Sequence, residues 1–201
     1  MTSGLGSGPG GGVTQALTGR LLVATPVLLD DNFARAVVLI VDADEGGALG
    51  VVLNRPTEIE VGSVLPSWAA LCGPVPRLFT GGPVSPETAL ALGLLRSVPR
   101  VGEDEPAGWR GVSGAVGLVD LDSDPDTLGT VLAGVRVYAG YAGWAAGQLE
   151  DEIAAEAWYV VDALYSDILT EHPDRLWRGV LRRQAGPLAM VSAWTSDPTR
   201  N

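Results

Sequence analysis

Short runs of Val, Ile and Leu bounded by polar residues dominate the chain, and helical spacing of apolar positions is confined to a few stretches. Arg20 to Ala24 and Arg35 to Asp42 are apolar runs of strand length and predict two strands. The turn signal Asp44-Glu45-Gly46-Gly47 and the apolar run Ala48 to Leu53 then predict a hairpin, which Asn54-Arg55-Pro56-Thr57 ends. Val64, Leu65, Trp68, Ala69 and Cys72 recur at helical spacing, so Val61 to Cys72 predicts a helix with Pro66 in its first turn. Arg77 to Thr80 and Thr88 to Leu95 predict a second pair of strands around Gly81-Gly82-Pro83-Val84. Ala115 to Leu121 is a further candidate pairing partner, and Ser97 to Gly111 reads as a loop.

In the second half, Asp124-Pro125-Asp126 supplies an N-cap, a proline at the first helical position and a first-turn acid. The helix it starts carries Leu128, Val131 and Leu132 on one face. Val135 to Tyr141 predicts a strand, and Trp144 to Glu156 a helix burying Ala145, Ala146, Leu149 and Ile153. Trp158 to Asp162 is again strand-like, which makes Val135 to Val161 a candidate βαβ crossover between parallel strands. A last helix from Pro173 to about Gln184 buries Leu176, Trp177, Val180 and Leu181, with Arg182 and Arg183 at its negative end. The pattern is that of a mixed α/β or α+β chain without a fixed-period repeat.

Length and composition narrow this picture. With 201 residues and 46% hydrophobic content the chain can bury one sizeable core, which predicts a single domain over residues 14–201. Residues 1–13 read as a disordered tail, because Ser3 to Gly12 are nearly all Gly, Ser and Pro. No strand precedes that run and no GK[ST] ends it, so it lacks the context of a phosphate loop. The N-terminus lacks the basic opening and apolar core of a signal peptide, and Ala36 to Val41 is far shorter than a membrane helix. A soluble cytoplasmic protein with no membrane partner is expected. The net charge is −11, and all 13 cationic residues are Arg. That balance repels phosphate backbones over most of the surface.

Candidate chemistry is sparse. Cys72 is the single cysteine, so no intrachain disulfide and no multi-cysteine metal site can form, and its place on an apolar stripe favours an inert buried thiol. His172, the single histidine, precedes Pro173 and reads as part of a helix start. No metal-ligand pattern, cofactor fingerprint or catalytic residue emerges, and Glu150, Asp151, Glu152 and Glu156 spread around a solvated helix surface. The run Tyr138 to Glu150 carries Gly140, Gly143 and Gly147 where strand becomes helix. These glycines either admit a ligand to a helix start or, more simply, let the helix pack closely on the sheet above Tyr141 and Trp144. Two further groups sit at predicted strand ends: Thr25-Pro26 with Asp30, Asp31, Phe33 and Arg35, and Asn54-Arg55-Pro56-Thr57. Strand ends gather ligands in open α/β sheets, and Arg binds carboxylate or phosphate through its planar fork; pairing of Arg35 and Arg55 with the abundant Asp and Glu is the equal alternative. Arg175, Arg178 and Arg182 form a basic stripe at helical spacing, but overall acidity and the lack of a helix-turn-helix pattern argue against direct nucleic-acid binding.

The ordered series Arg20 to Pro26, Asp30 to Arg35, Val52 to Thr57, Gly81-Gly82-Pro83-Val84 and Gly140-Tyr141-Ala142-Gly143-Trp144 to Glu152 resembles the motifs of the AlgH/YqgE-like family. The likeness runs from about Leu17 to Asp197-Pro198 and Asn201, and departs mainly in the glycine-rich tail and in Glu103 to Gly111. It implies an α/β fold with a large mixed β-sheet flanked by helices, but no catalytic mechanism or cofactor. One member of that family is named for a role in regulating alginate production, which implies a transcriptional regulator. The matching positions Thr25, Pro26, Asp30, Arg35, Asn54, Arg55, Gly81, Gly82, Tyr141, Gly143, Trp144 and Glu150 become candidate ligand-binding residues.

The leading expectation is a non-enzymatic binding or regulatory protein acting through a small anionic ligand or a protein partner. Thr25, Asn54, Arg55, Gly81, Gly82, Tyr141 and Trp144 would border its pocket. The first alternative is an enzyme on a small anionic metabolite, oriented by Arg35 or Arg55 with Asp30 or Glu150 moving a proton. The second is a regulator that binds DNA through the arginine stripe.

Overall fold

A computed structural model describes residues 17–100 and 104–194. The tail expected over residues 1–13 and the closing Asp197-Pro198 lie outside the described residues. In chain order the strands are β1 (Arg20–Ala24), β2 (Val37–Asp44), β3 (Gly47–Val52), β4 (Pro56–Glu60), β5 (Arg77–Thr80), β6 (Val84–Leu95), β7 (Trp109–Ser113), β8 (Val116–Val119), β9 (Leu132–Ala145) and β10 (Trp158–Asp162). The helices are α1 (Val61–Val64), α2 (Pro125–Gly129), α3 (Gln148–Ala154), α4 (Tyr165–Ile168), α5 (Pro173–Arg182) and α6 (Pro187–Val191), with a 3-10 helix at Pro66–Leu71.

The strands form a large sheet in the order β10-β1-β2-β3-β9-β6-β8-β7, antiparallel at each step. β4 pairs β5, and β5 runs parallel to β9. The sheet is therefore mixed, in a fold of mixed α/β class. β9 is its spine. Residues 132–141 pair with β6, while on the other edge Tyr138 and Ala139 face β5 and residues 142–145 pair with β3.

Alternation along the strands explains the layers. Leu21 and Val23 of β1 join Val37, Leu39 and Val51 on one face, where α5 lays down Leu176, Trp177, Val180 and Leu181. Leu22 and Ala24 join Val38, Ile40 and Val52 on the other, under Leu149, Trp144 and Trp158. Both faces of β1 to β3 are thus covered, which is why these strands read as continuous apolar runs rather than alternating ones. A third cluster around Trp68, Leu95, Trp109, Leu128, Leu132 and Val137 fills the β6–β8 end.

Several expectations are corrected. The helix over Val61 to Cys72 is two short pieces, because Leu65, before the proline, leaves the helical region at φ −136° and ψ 68°. Asn54 to Thr57 does not simply end the hairpin, since β4 starts at Pro56; likewise β7 starts within the predicted loop, at Trp109. The strands around Gly81-Gly82 do not pair with each other: β5 and β6 flank opposite edges of β9, and β6 pairs β8, the second candidate. α2 keeps its cap, as Asp124 accepts from the Asp126 and Thr127 N–H groups, but it ends at Gly129 and Leu132 opens β9.

The helix expected from Trp144 starts only at Gln148. β3 offers Trp144 and Ala145 backbone partners, and the pairing Ala48↔Trp144 keeps the chain extended until Gly147 turns it at φ 77°. Ala145 and Ala146 are exposed, so they share no buried face with Leu149. β10 hydrogen-bonds to β1, not β9, so the expected crossover spans three intervening strands instead of joining neighbours.

Candidate functional site

The chain leaves β1, turns back over residues 25–36 and enters β2, and β3 ends beside that turn. Asp30 shapes it: its carboxylate accepts from the Asn32 N–H at 2.9 Å, and its carbonyl accepts from Phe33 and Ala34. Arg35 follows in the left-handed region at φ 57°, an uncommon conformation for a long side chain. The next strand holds it there. The Asn54 amide donates to the Arg35 carbonyl at 2.9 Å, and its Oδ1 accepts from the Val37 N–H at 2.9 Å. Arg55 donates from Nη2 to the Ala34 carbonyl. The adjacent pair Asn54-Arg55 therefore staples Ala34 and Arg35 of the loop and Val37 at the start of β2, and this is the physical use of those two residues at that strand end.

α5 closes the other side. Trp177 is buried, its indole N–H donates 2.8 Å to the Ala24 carbonyl, and the Arg35 guanidinium lies 5.7 Å from its ring centroid. One turn apart on that helix, Arg175 and Arg178 project toward the loop. Arg35, Arg55, Arg175 and Arg178 border one cavity of about 390 Å³, with Asn54, Asp174 and Trp177 in its wall. Among the described residues no carboxylate lies within ion-pair distance of Arg55 or Arg178, while Arg175 contacts its neighbour Asp174 at 3.7 Å on the surface. Burial lowers the Arg55 guanidinium from its usual value, as expected of a desolvated cation without a compensating charge. Four guanidinium groups converging in a chain of net charge −11 make a concave, locally positive site.

The candidate residues divide among different places. Arg35, Asn54 and Arg55 meet at this cavity, whereas Thr25 and Pro26 border another one. Gly81 and Gly82 lie where the chain crosses β9: a Cβ on Gly81 would overlap the Gly140 carbonyl oxygen, and one on Gly82 the backbone of Tyr141. Close strand packing accounts for them. Tyr141 faces Val84 and Gly143 faces Leu49 in the ladders. Trp144 stacks on Phe33 at 6.2 Å and edge-on to Trp158 at 6.1 Å, and both indole N–H groups donate to Oε2 of Glu152, at 2.9 and 2.8 Å. Glu150 lies on α3, and neither it nor Asp30 borders the arginine cavity. The seven residues expected around one pocket thus do not share one.

Sequence reasoning noted Arg175 and Arg178 only as a stripe and Trp177 only as core, because nothing local says which loop the helix will cover. It missed Arg136 altogether. That side chain is 2% exposed, donates to the Thr170 carbonyl at 2.8 Å and lies 4.4 Å from the Phe79 ring centroid. A lone Arg in the apolar run of β9 was the available signal.

The sequence profile of the AlgH-like family matches residues 21–189. A UPF0301 protein of Streptomyces coelicolor is 54% identical over 186 residues, which cover 92% of this chain and 96% of the relative. One from Mycobacterium tuberculosis is 47% identical over 185 residues, 91% of this chain and 90% of that one. Among solved structures, protein DIP2367 of Corynebacterium diphtheriae superimposes with a TM-score of 0.81 at 29% identity, covering 91% of this chain and 100% of the other. The AlgH protein of Pseudomonas aeruginosa gives a TM-score of 0.63 at 24% identity over 96% and 99% of the two chains, a likeness of fold. With a family profile spanning most of its length and relatives this similar over nearly their whole chains, the protein belongs to the AlgH-like family.

Proposed function

We propose that this protein is a non-enzymatic binding protein for a small anion, carrying carboxylate or phosphate groups, held in the cavity of Arg35, Arg55, Arg175 and Arg178. The convergence of four guanidinium groups from three separate chain segments carries this reading. The forked donors of Arg suit planar carboxylates and phosphates, and desolvation of Arg55 strengthens any ion pair made there. Asp174 is the one carboxylate in the wall and no thiol, hydroxyl or imidazole borders it, which favours binding over bond-making chemistry. A regulatory role follows naturally: an anion bridging Arg55, beside the loop, and Arg178 of α5 would fasten the helix to the sheet, and a partner reading that helix would sense occupancy.

Thermal unfolding with inorganic phosphate, citrate and a nucleoside monophosphate tests the proposal. A ligand at a hundred times its Kd adds about 2.7 kcal/mol, a rise of several degrees for a chain of this size. The rise is expected to vanish in Arg178→Ala, which alters an exposed side chain and leaves the staple intact. No shift with any anion, or an undiminished shift in Arg178→Ala, would remove the cavity from consideration.

A further inference from the structure

Thr25 and Pro26 are left unexplained by the arginine site, and they border a second cavity of about 500 Å³ between the end of β1, the end of α3 and the segment from α6 to Trp194. That size is within the roughly 300–1,000 Å³ of small-molecule pockets. Its walls are largely apolar, from Pro26, Val27, Ile153, Trp158, Val191 and Trp194. Val27 is 74% exposed and Trp194 52%, so large apolar side chains stand open at its mouth.

The polar groups here are few. Thr25 is 4% exposed, and its Oγ1 is buried with no hydrogen-bond partner among the described residues. The one charged residue of the wall is Glu156. It occupies the left-handed position after α3 at φ 59°, where its N–H donates to Ile153 and the next N–H, of Ala157, closes on Glu152. Glycine is the usual residue at such a helix end. Here a carboxylate stands instead, at a backbone cost, and beside an apolar cavity.

The geometry points to a second ligand site of opposite preference to the first: a pocket for a small cationic amphiphile, an alkyl- or arylalkylammonium. Its apolar body lies against Trp158, Val191 and Trp194, and its charge faces Glu156. No arginine borders this cavity, and the net charge of −11 disfavours a carboxylate there. This inference does not rest on the anion reading, since the two cavities share no residue.

The test is isothermal titration of the full chain at neutral pH with three probes of one shape: 4-phenylbutylammonium, 4-phenylbutanol and 4-phenylbutanoate. The ammonium is expected to bind at least about tenfold more tightly than the carboxylate, with the alcohol between them. Glu156→Gln should bring the ammonium down to the affinity of the alcohol. Arg178→Ala should change none of these. Equal binding of all three probes, no binding by any, or an ammonium preference that survives Glu156→Gln would overturn the proposal; loss of binding in Arg178→Ala would move the probes to the arginine cavity and overturn it equally.

Discussion

Cys72 illustrates how much of a residue's chemistry is set by surroundings. Its backbone bridges to Val135 and its side chain packs against the cluster around Trp68 and Leu132. Burial raises its thiol above the usual value, and the charge of Arg136 offsets this only in part. A raised acid favours the protonated form in the folded state. The stabilising contribution is therefore fully present below the ordinary thiol range and is lost as pH rises through the folded value. Alkylation by iodoacetamide at pH 7.5 is expected to run slower than that of glutathione and to accelerate as pH is raised, while equal rates would show an accessible, ordinary thiol. The apolar stripe predicts a buried thiol, and the structure leaves Cys72 half-buried at the edge of that cluster. Its neighbour Arg136 was not legible in the sequence, because the partners that tolerate a buried guanidinium, the Phe79 face and the Thr170 carbonyl, come from distant parts of the chain.

Among elements, α5 is fastened at its end by a pair that no sequence pattern announced. Arg183 binds Asp167 of α4 in a forked arrangement, both distances being 2.6 Å, and also donates to the Asp162 carbonyl at 2.9 Å. Asp167 is buried and accepts from the Leu164 N–H at 2.7 Å as well. Asp167→Ala is expected to cost about 2–3 kcal/mol, less than a fully buried pair because Arg183 keeps some solvent contact. Denaturant titration checks this, and a loss under about 1 kcal/mol would mean that water replaces the pair at little cost. The glycine motifs belong to the same scale. Gly81→Ala drives a methyl into the Gly140 carbonyl and should cost about 3 kcal/mol or more, whereas Gly143→Ala, on an exposed strand position whose nearest neighbour is a Tyr141 ring atom at 3.6 Å, should stay within about 0.5 kcal/mol. Similar losses in both variants would point to a shared role at a ligand instead of to strand crossing.

For the whole molecule the distribution of charge matters more than its sum. The net charge is −11, yet Arg175 and Arg178 border one concavity with Arg35 and Arg55. Charge reversal at Arg178 and Arg182 is accordingly expected to leave both the affinity for duplex DNA and its salt slope unchanged in anisotropy titrations between 50 and 200 mM salt. A slope smaller by about 0.9 for each reversed residue would make those arginines phosphate contacts and revive the DNA reading.

The sequence by itself determined the strands β1 to β3, the capped start of α2 and the buried face of α5, since each follows from local periodicity, capping chemistry and burial that one segment carries alone. It also marked Arg35, Asn54 and Arg55 as unusual polar residues at strand ends. Only the tertiary structure decided that Trp144 is strand and not helix, because the preference of that segment is overridden by ladder partners in β3, almost a hundred residues earlier. Likewise it alone placed α5 over the loop that Asn54 and Arg55 hold, which turned a stripe on one helix and a motif at one strand end into a single cationic cavity. Local pattern sets what a segment prefers; which side chains share a cavity depends on contacts between distant segments that no local pattern encodes.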